Sequence, residues 1–207
     1  MSADIPARPP GTTVATGLDL ILDRLDEAVD ARTDETRAQA RLWTAVAELL
    51  RLARANPHLY LRTTGTAQPD AIALAEDVAA YDAGLRLRMT SGQVRHLAHR
   101  AQSLEDRLPQ LHAAFTTGAT TAAHVNTTLD LLVGWDDASG VASFDEQLAD
   151  AATTLTVAAF RRRARHLKGT LHPEPAETLH ARAFTARRVD LEPVEDGMAW
   201  IHLLVSA

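Results

Sequence analysis

The stretch from Leu74 to Val125 constrains the fold more than any other part of the sequence. The apolar residues of its first part recur at helical spacing: Leu74, Val78, Tyr81 and Leu85. A second helix is predicted to start at Thr90-Ser91-Gly92-Gln93, because Thr and Gln three residues apart form a capping box that satisfies two helix-end N–H groups. The turn between these helices is short, so the pattern predicts a helix-turn-helix-like unit.

Basic residues lie on the polar side of the second helix of this unit and in the turn before it. They are Arg88, Arg95, His96, His99 and Arg100. If this helix entered a DNA groove, its arginines would contact guanine edges or phosphates. The alternative is that they are solvated residues on the surface of a helical bundle, since helix-turn-helix-like spacing is common in such bundles.

A second basic cluster falls on a helix that is predicted to start at Thr156. Its members are Arg161, Arg162, Arg163, Arg165 and Lys168. Several cations this close together are typical of phosphate contacts, whose affinity falls steeply with salt. The alternative pairs them with the acidic residues of the 130–150 stretch, in the same chain or in a second copy.

Composition excludes several classes of site. The chain of 207 residues has no cysteine, which excludes thiol catalysis, cysteine-ligated zinc and iron–sulfur clusters. His96 and His99 have the spacing of metal ligands but lack a third ligand, so we predict a pair on the helix surface rather than a metal site. No Gly-rich phosphate loop or nucleophile elbow occurs. We therefore predict no catalytic residue, metal or cofactor in this chain.

The fold class predicted is mainly α: a multi-helix bundle that contains the helix-turn-helix-like unit and ends in a short β-hairpin or β extension. No apolar run is long enough to cross a membrane, and the start lacks the features of a signal peptide, so a cytoplasmic protein without membrane contact is expected. Three segments are predicted: a disordered leader (1–16), a helical domain (17–175) and a β extension (176–207) that turns at Asp196-Gly197. The helical domain is predicted to consist of an N-terminal helical hairpin (17–56) with a break near Asp30, the central unit (70–134) and C-terminal helices (140–169).

Short motifs along most of the chain resemble those of one known family. They are Ala75-Glu76-Asp77-Val78-Ala79, Leu104 followed by Leu108-Pro109, the segment from Gly118 to His124-Val125, Leu155-Thr156, His172-Pro173-Glu174 and Asp196-Gly197-Met198-Ala199. In this order they resemble the domain of unknown function 222, the N-terminal domain of the actinobacterial 13E12 repeat family. The resemblance implies a setting in DNA metabolism of mobile-element type, with the function of the domain itself unassigned.

In that family an HNH endonuclease domain often follows this domain. Such a site needs a His base and a divalent metal, and its region would lie beyond Ala207, so the resemblance carries no catalytic residue onto this sequence. The strand-like end of the chain favours a fragment of a longer protein. We therefore expect a non-catalytic accessory domain that is associated with DNA and with its own HNH domain.

The alternative expectation is a protein-interaction or dimerisation module without DNA contact. In it, the N-terminal helices would pair between two chains through apolar residues. These are Leu18, Ile21, Leu22, Leu25 and Val46.

Overall fold

The computed structural model describes residues 17–61, 69–173 and 187–204, together with 177, 181, 184 and 185. Its elements are α1 (Gly17–Ala55), a 3-10 turn (Pro57–Leu59), α2 (Pro69–Leu87), α3 (Ser91–Arg107), α4 (Pro109–Thr117), α5 (Ala122–Leu131), α6 (Ala138–Thr154), α7 (Val157–Leu171), β1 (Arg188–Pro193) and β2 (Ala199–Leu204). The prediction of a mainly α fold with a C-terminal β-hairpin is confirmed. The predicted leader lies outside the described residues.

The predicted N-terminal helical hairpin is wrong, because α1 is a single helix of 39 residues. Residues 18–55 contain no Gly or Pro that would interrupt it. Thr33 has Asp34 and Glu35 behind it, a pattern typical of a helix start. Its hydroxyl nevertheless donates to the carbonyl of Val29 at 2.9 Å, a bond typical of a helix interior. The helix ends at Ala55, before Asn56-Pro57, where a stop was expected.

Helix α2 buries the face opposite to the one its large apolar residues suggest. The buried residues are alanines: Ala75, Ala79, Ala80 and Ala83. The exposed ones are the large residues of the predicted stripe: Leu74, Val78, Tyr81 and Leu85. Small side chains allow neighbouring backbones to approach closely. At Gly84 the approach is so close that an added Cβ would lie 2.6 Å from the carbonyl oxygen of Met89. The alanine face of α2 therefore sets its close packing, and a second apolar surface is left exposed.

The capping box at the start of α3 is confirmed. The amide of Gln93 donates to the Thr90 hydroxyl at 3.1 Å, and the amide of Thr90 donates to the Gln93 side chain at 2.8 Å. This pair ends the turn after α2 and fixes where α3 begins.

Helix α4 starts against a buried carboxylate from another helix. Asp145 of α6 is 3% exposed and accepts hydrogen bonds from the amides of Gln110 (2.7 Å) and Leu111 (3.1 Å). The residue before α4, Leu108, has no side chain that could cap it. Burial raises the pKa of Asp145, while the two donating amides oppose that rise.

The C-terminal hairpin is antiparallel, with Val189 opposite Leu203 and Leu191 opposite Ile201. Its turn is the predicted one, because Asp196 (φ 60°) and Gly197 (φ 73°) both have left-handed backbone conformations. Every residue of β1 and β2 is exposed.

A buried histidine links the start of α5 to the start of α7. In His124, Nε2 lies 3.0 Å from the carbonyl oxygen of Leu155, and Nδ1 lies 2.8 Å from the hydroxyl of Thr121. A carbonyl can only accept, so Nε2 carries the proton and Nδ1 accepts from Thr121. Burial lowers the pKa of His124 and so favours the neutral ring, although the carbonyl of Leu155 acts in the opposite direction.

Stability is therefore expected to fall as the pH decreases through the ordinary histidine range. With a lowered pKa in the folded state, the unfolded chain takes up the proton first, so the contribution is complete above a pH of about 6.5 and is lost below it. Urea unfolding between about pH 7.5 and 5 should show a smaller loss for His124→Gln than for the wild type. His166→Gln, which removes an exposed histidine from α7, is the control for the loss of an imidazole, and its stability loss should be larger than that of His124→Gln. An equal loss in His124→Gln would contradict this assignment.

Candidate nucleic-acid interface

A cluster of exposed arginines lies on α7. We call Arg161, Arg162, Arg163 and Arg165 the α7 arginine cluster. All four side chains are exposed, and none of them forms an ion pair with another residue in the described part of the chain. Phe160, Ala164 and Leu167 are buried and attach the helix to the bundle.

The buried face of α7 determines the direction of these arginines. Residues advance by about 100° around a helix, so Arg162 and Arg165 lie opposite the face formed by Phe160, Ala164 and Leu167. Arg161 and Arg163 flank them on either side. The alternative in which the acidic 130–150 stretch of the same chain neutralises this cluster is not seen among the described residues.

The two arginines predicted on α3 both bind groups of the same chain. Arg95 donates to the carboxylate of Asp77 on α2. Arg100 has a side chain only 15% exposed and donates to the carboxylate of Asp130 and to the carbonyl of Asn126, each at 2.9 Å. These bonds join α3 to its neighbours. They explain the positions of both arginines, so no external ligand is needed to explain them.

Cations also gather around the C-terminal end of α5. Lys168 of α7 donates to the carbonyl of Leu131 at 2.6 Å, and Arg107 of α3 donates to the carbonyl of Trp135 just beyond the helix. The C-terminal end of a helix is partly negative and favours such donors. Lys168, which the sequence placed in the basic cluster, therefore joins α7 to α5. Arg107 was missed because its partner lies 28 residues away in the sequence.

His96 and His99 are exposed and line a cleft of about 300 Å³ between α3 and the end of α5. Other polar residues around the cleft include Ser103, Arg107, Asp130 and Asp136. No group of three or more His, Asp or Glu in the described residues could hold a metal ion.

Arg88 lies in the turn between α2 and α3 with a left-handed backbone (φ 57°) and an exposed side chain. It has no ion-pair partner in the regions that the structure describes. Of the predicted α3 and turn arginines, it is therefore the one that the surrounding structure leaves unpaired.

Comparison with known proteins assigns the family. The model of the family described as "Domain of unknown function (DUF222)" matches residues 30–207. The chain belongs to the DUF222 family. No curated protein and no solved structure matches it. The match starts within α1, so the first part of that helix in this DUF222 chain lies outside the matched region. No helix among its described residues is long and apolar enough to cross a membrane.

Proposed function

We propose that this DUF222 domain is a non-catalytic accessory domain that binds duplex DNA through the α7 arginine cluster, within an HNH-endonuclease-like protein. The observation that supports it is the set of four closely spaced, exposed arginines without ion-pair partners among the described residues. They occur in a chain whose net charge is −6, so the positive charge is local rather than general.

The chemistry of these side chains favours phosphate as the partner. Guanidinium groups bind phosphate oxygens through two parallel hydrogen bonds, and duplex DNA presents phosphates at close, regular spacing. Because Arg161 and Arg163 flank Arg162 and Arg165, a groove-bound α7 would bring positive charge to the backbones on both sides. Most phosphate contacts position a protein without selecting a sequence, so binding should depend weakly on base sequence.

We base the proposed DNA contact on α7 rather than on α3. Arg95, Arg100 and Lys168 already bind groups of the same chain, and a DNA contact would require them to exchange those partners. Arg88 is the residue of the central unit that we include in the proposed surface. His96 and His99 stay secondary candidates at the edge of the cleft.

Fluorescence anisotropy with a short DNA duplex at rising salt would test the proposal. Replacing Arg161, Arg162 and Arg165 together by alanine is expected to weaken binding on the order of 100-fold at low salt. The slope of log affinity against log salt should also become shallower by about three, because each lost phosphate contact releases about one fewer counterion.

A matched control removes three exposed arginines elsewhere, by Arg24→Ala, Arg32→Ala and Arg86→Ala. Each of these binds a carboxylate within its own helix, and the control changes the net charge by the same amount. It should keep nearly wild-type affinity. Equal losses in both triple variants, or no binding by the wild type at low salt, would overturn the proposal.

A second candidate function, a protein-interaction module, is favoured by one specific observation. Large apolar side chains of the first part of α1 are exposed, among them Leu18, Ile21, Leu22 and Leu25. Val46, which the sequence placed in the same interface, is 3% exposed inside the core of its own chain and cannot take part.

A further inference from the structure

The cleft between α3 and the end of α5 is lined by hydrogen-bond donors for which the described chain provides too few acceptors. Its α3 wall is formed by residues that recur every three or four positions and so share one face of the helix. They are His96, His99, Arg100, Ser103 and Arg107. The side chains of His96, His99 and Ser103 form no hydrogen bond or ion pair with other described residues. The Nε of Arg100 is buried and likewise has no acceptor there.

Arg107 brings a positive charge to this cleft that no described carboxylate neutralises. Its Nη2 donates to the backbone carbonyl of Trp135, and its other N–H groups have no acceptor among the described residues. No ion pair joins its guanidinium to a carboxylate in that part of the chain. The residue is half-buried, and there a charge interacts more strongly with a counterion than at the open surface. This charge therefore favours an anionic ligand.

Two carboxylates also line the cleft, and they affect an anion differently. Asp130 accepts from Arg100 at 2.9 Å, so this pair contributes no net charge. Asp136 is exposed and forms no ion pair within the described ranges, so it should repel an anion in the cleft. Against this single unpaired carboxylate stand a guanidinium, a hydroxyl and two imidazoles. The unpaired donors outnumber the unpaired acceptors, which fits a ligand rich in acceptor oxygens.

We propose that this cleft binds the phosphate group of a phosphate monoester through Arg107, Ser103 and His99. A phosphate monoester has three acceptor oxygens, enough for all three side chains, and arginine can bind two of them in parallel. A carboxylate has only two. The cleft volume of about 300 Å³ lies at the lower end for ligand sites and leaves room for part of the esterified group.

This proposal does not depend on DNA binding by the α7 arginine cluster, because its residues lie on α3. Phosphate monoesters occur as free nucleotides and as the phosphorylated ends of nucleic-acid strands, and the chemistry in the cleft is the same for both. The test therefore uses both kinds of probe.

Isothermal titration calorimetry with 2′-deoxyadenosine 5′-monophosphate tests the site at about pH 7.5, where the phosphate is mostly a dianion. We expect a dissociation constant on the order of 0.1–1 mM, and binding of 2′-deoxyadenosine at least about tenfold weaker. Ser103→Ala should weaken binding of the monophosphate about tenfold, since it removes one hydrogen bond to a charged group. Ser143→Ala is the control: Ser143 is half-buried on α6, away from the cleft, and its removal should leave the affinity unchanged.

Charge in the cleft gives a second test with the opposite sign. Asp136→Asn should tighten binding of the monophosphate about threefold by removing a repulsive charge, whereas Asp150→Asn, the same change at an exposed position on α6, should not. Arg107→Gln should weaken binding at least about tenfold, and thermal unfolding without ligand would check that this variant is folded. No binding by the wild type at millimolar monophosphate would overturn the proposal. Equal affinities of Ser103→Ala and Ser143→Ala, or weaker binding by Asp136→Asn, would overturn it as well.

A short single strand with either a 5′-phosphate or a 5′-hydroxyl distinguishes the two sources. Tighter binding of the phosphorylated strand than of both the hydroxyl strand and the free nucleotide would identify a strand end as the ligand. Equal binding of the two strands, with the free nucleotide still bound, would identify the nucleotide. Replacing Arg161, Arg162 and Arg165 by alanine should leave nucleotide binding unchanged, so failure of the proposed DNA contact and failure of this site give different results.

Discussion

Replacing Phe160 with alanine is expected to lower the free energy of unfolding by about 4 kcal/mol. The ring is fully buried and packs edge-on against His124, with ring centroids 4.9 Å apart. It attaches α7, and therefore the α7 arginine cluster, to α5. The loss combines the transfer of the ring to water with the cavity that remains in a packed core.

Urea or thermal unfolding would measure this loss, which corresponds to a decrease in Tm of about 8–16 °C for a chain of this size. Leu155→Ala is the control, because Leu155 precedes the same helix but is 38% exposed. It should cost about 1 kcal/mol or less. If Phe160→Ala cost no more than this control, the assignment of Phe160 as the anchor of α7 would be wrong.

Replacing Asp145 with alanine is expected to lower the free energy of unfolding by about 3 kcal/mol. The change removes two hydrogen bonds to a carboxylate and leaves the amides of Gln110 and Leu111 without a partner at the start of α4. Buried amides that lose their acceptor bear the full cost of desolvation. Asp145→Asn keeps one acceptor oxygen and should cost less than the alanine variant.

Denaturant unfolding of Asp145→Ala is best compared with Asp150→Ala. Asp150 lies on the same helix and carries the same charge, but its side chain is exposed. The control should stay within about 0.5 kcal/mol of the wild type. Similar losses in the two variants would show that Asp145 acts through overall charge and not as the cap of α4.

Local signals in the sequence predicted those parts of the fold that depend on neighbouring residues. The capping box at Thr90 and Gln93 and the turn at Asp196-Gly197 are both satisfied within a few residues, so the sequence alone identified them. The basic character of α7 was equally visible, because Arg161, Arg162 and Arg165 are close together in the chain.

Predictions about burial failed where they depended on distant partners. Apolar spacing in α2 placed Leu74 and Val78 on one face of a helix, but the buried face is the alanine side, which fits more closely against neighbouring helices. The break near Asp30 was inferred from a Thr with acidic residues behind it, a pattern that a continuous helix accommodates equally well. Which side of a helix is buried depends on what packs against it, and periodicity does not contain that information.

The same distinction between local and distant information applies to the candidate DNA-binding residues. The sequence by itself determined where the positive charges are and that they lie on helices. Tertiary structure decided which of them are free, since Arg100 binds Asp130, 30 residues further along, and the α7 arginine cluster has no described partner. An ion pair depends on the distance between two charges in space, and only the packing of α3 against α5 sets that distance.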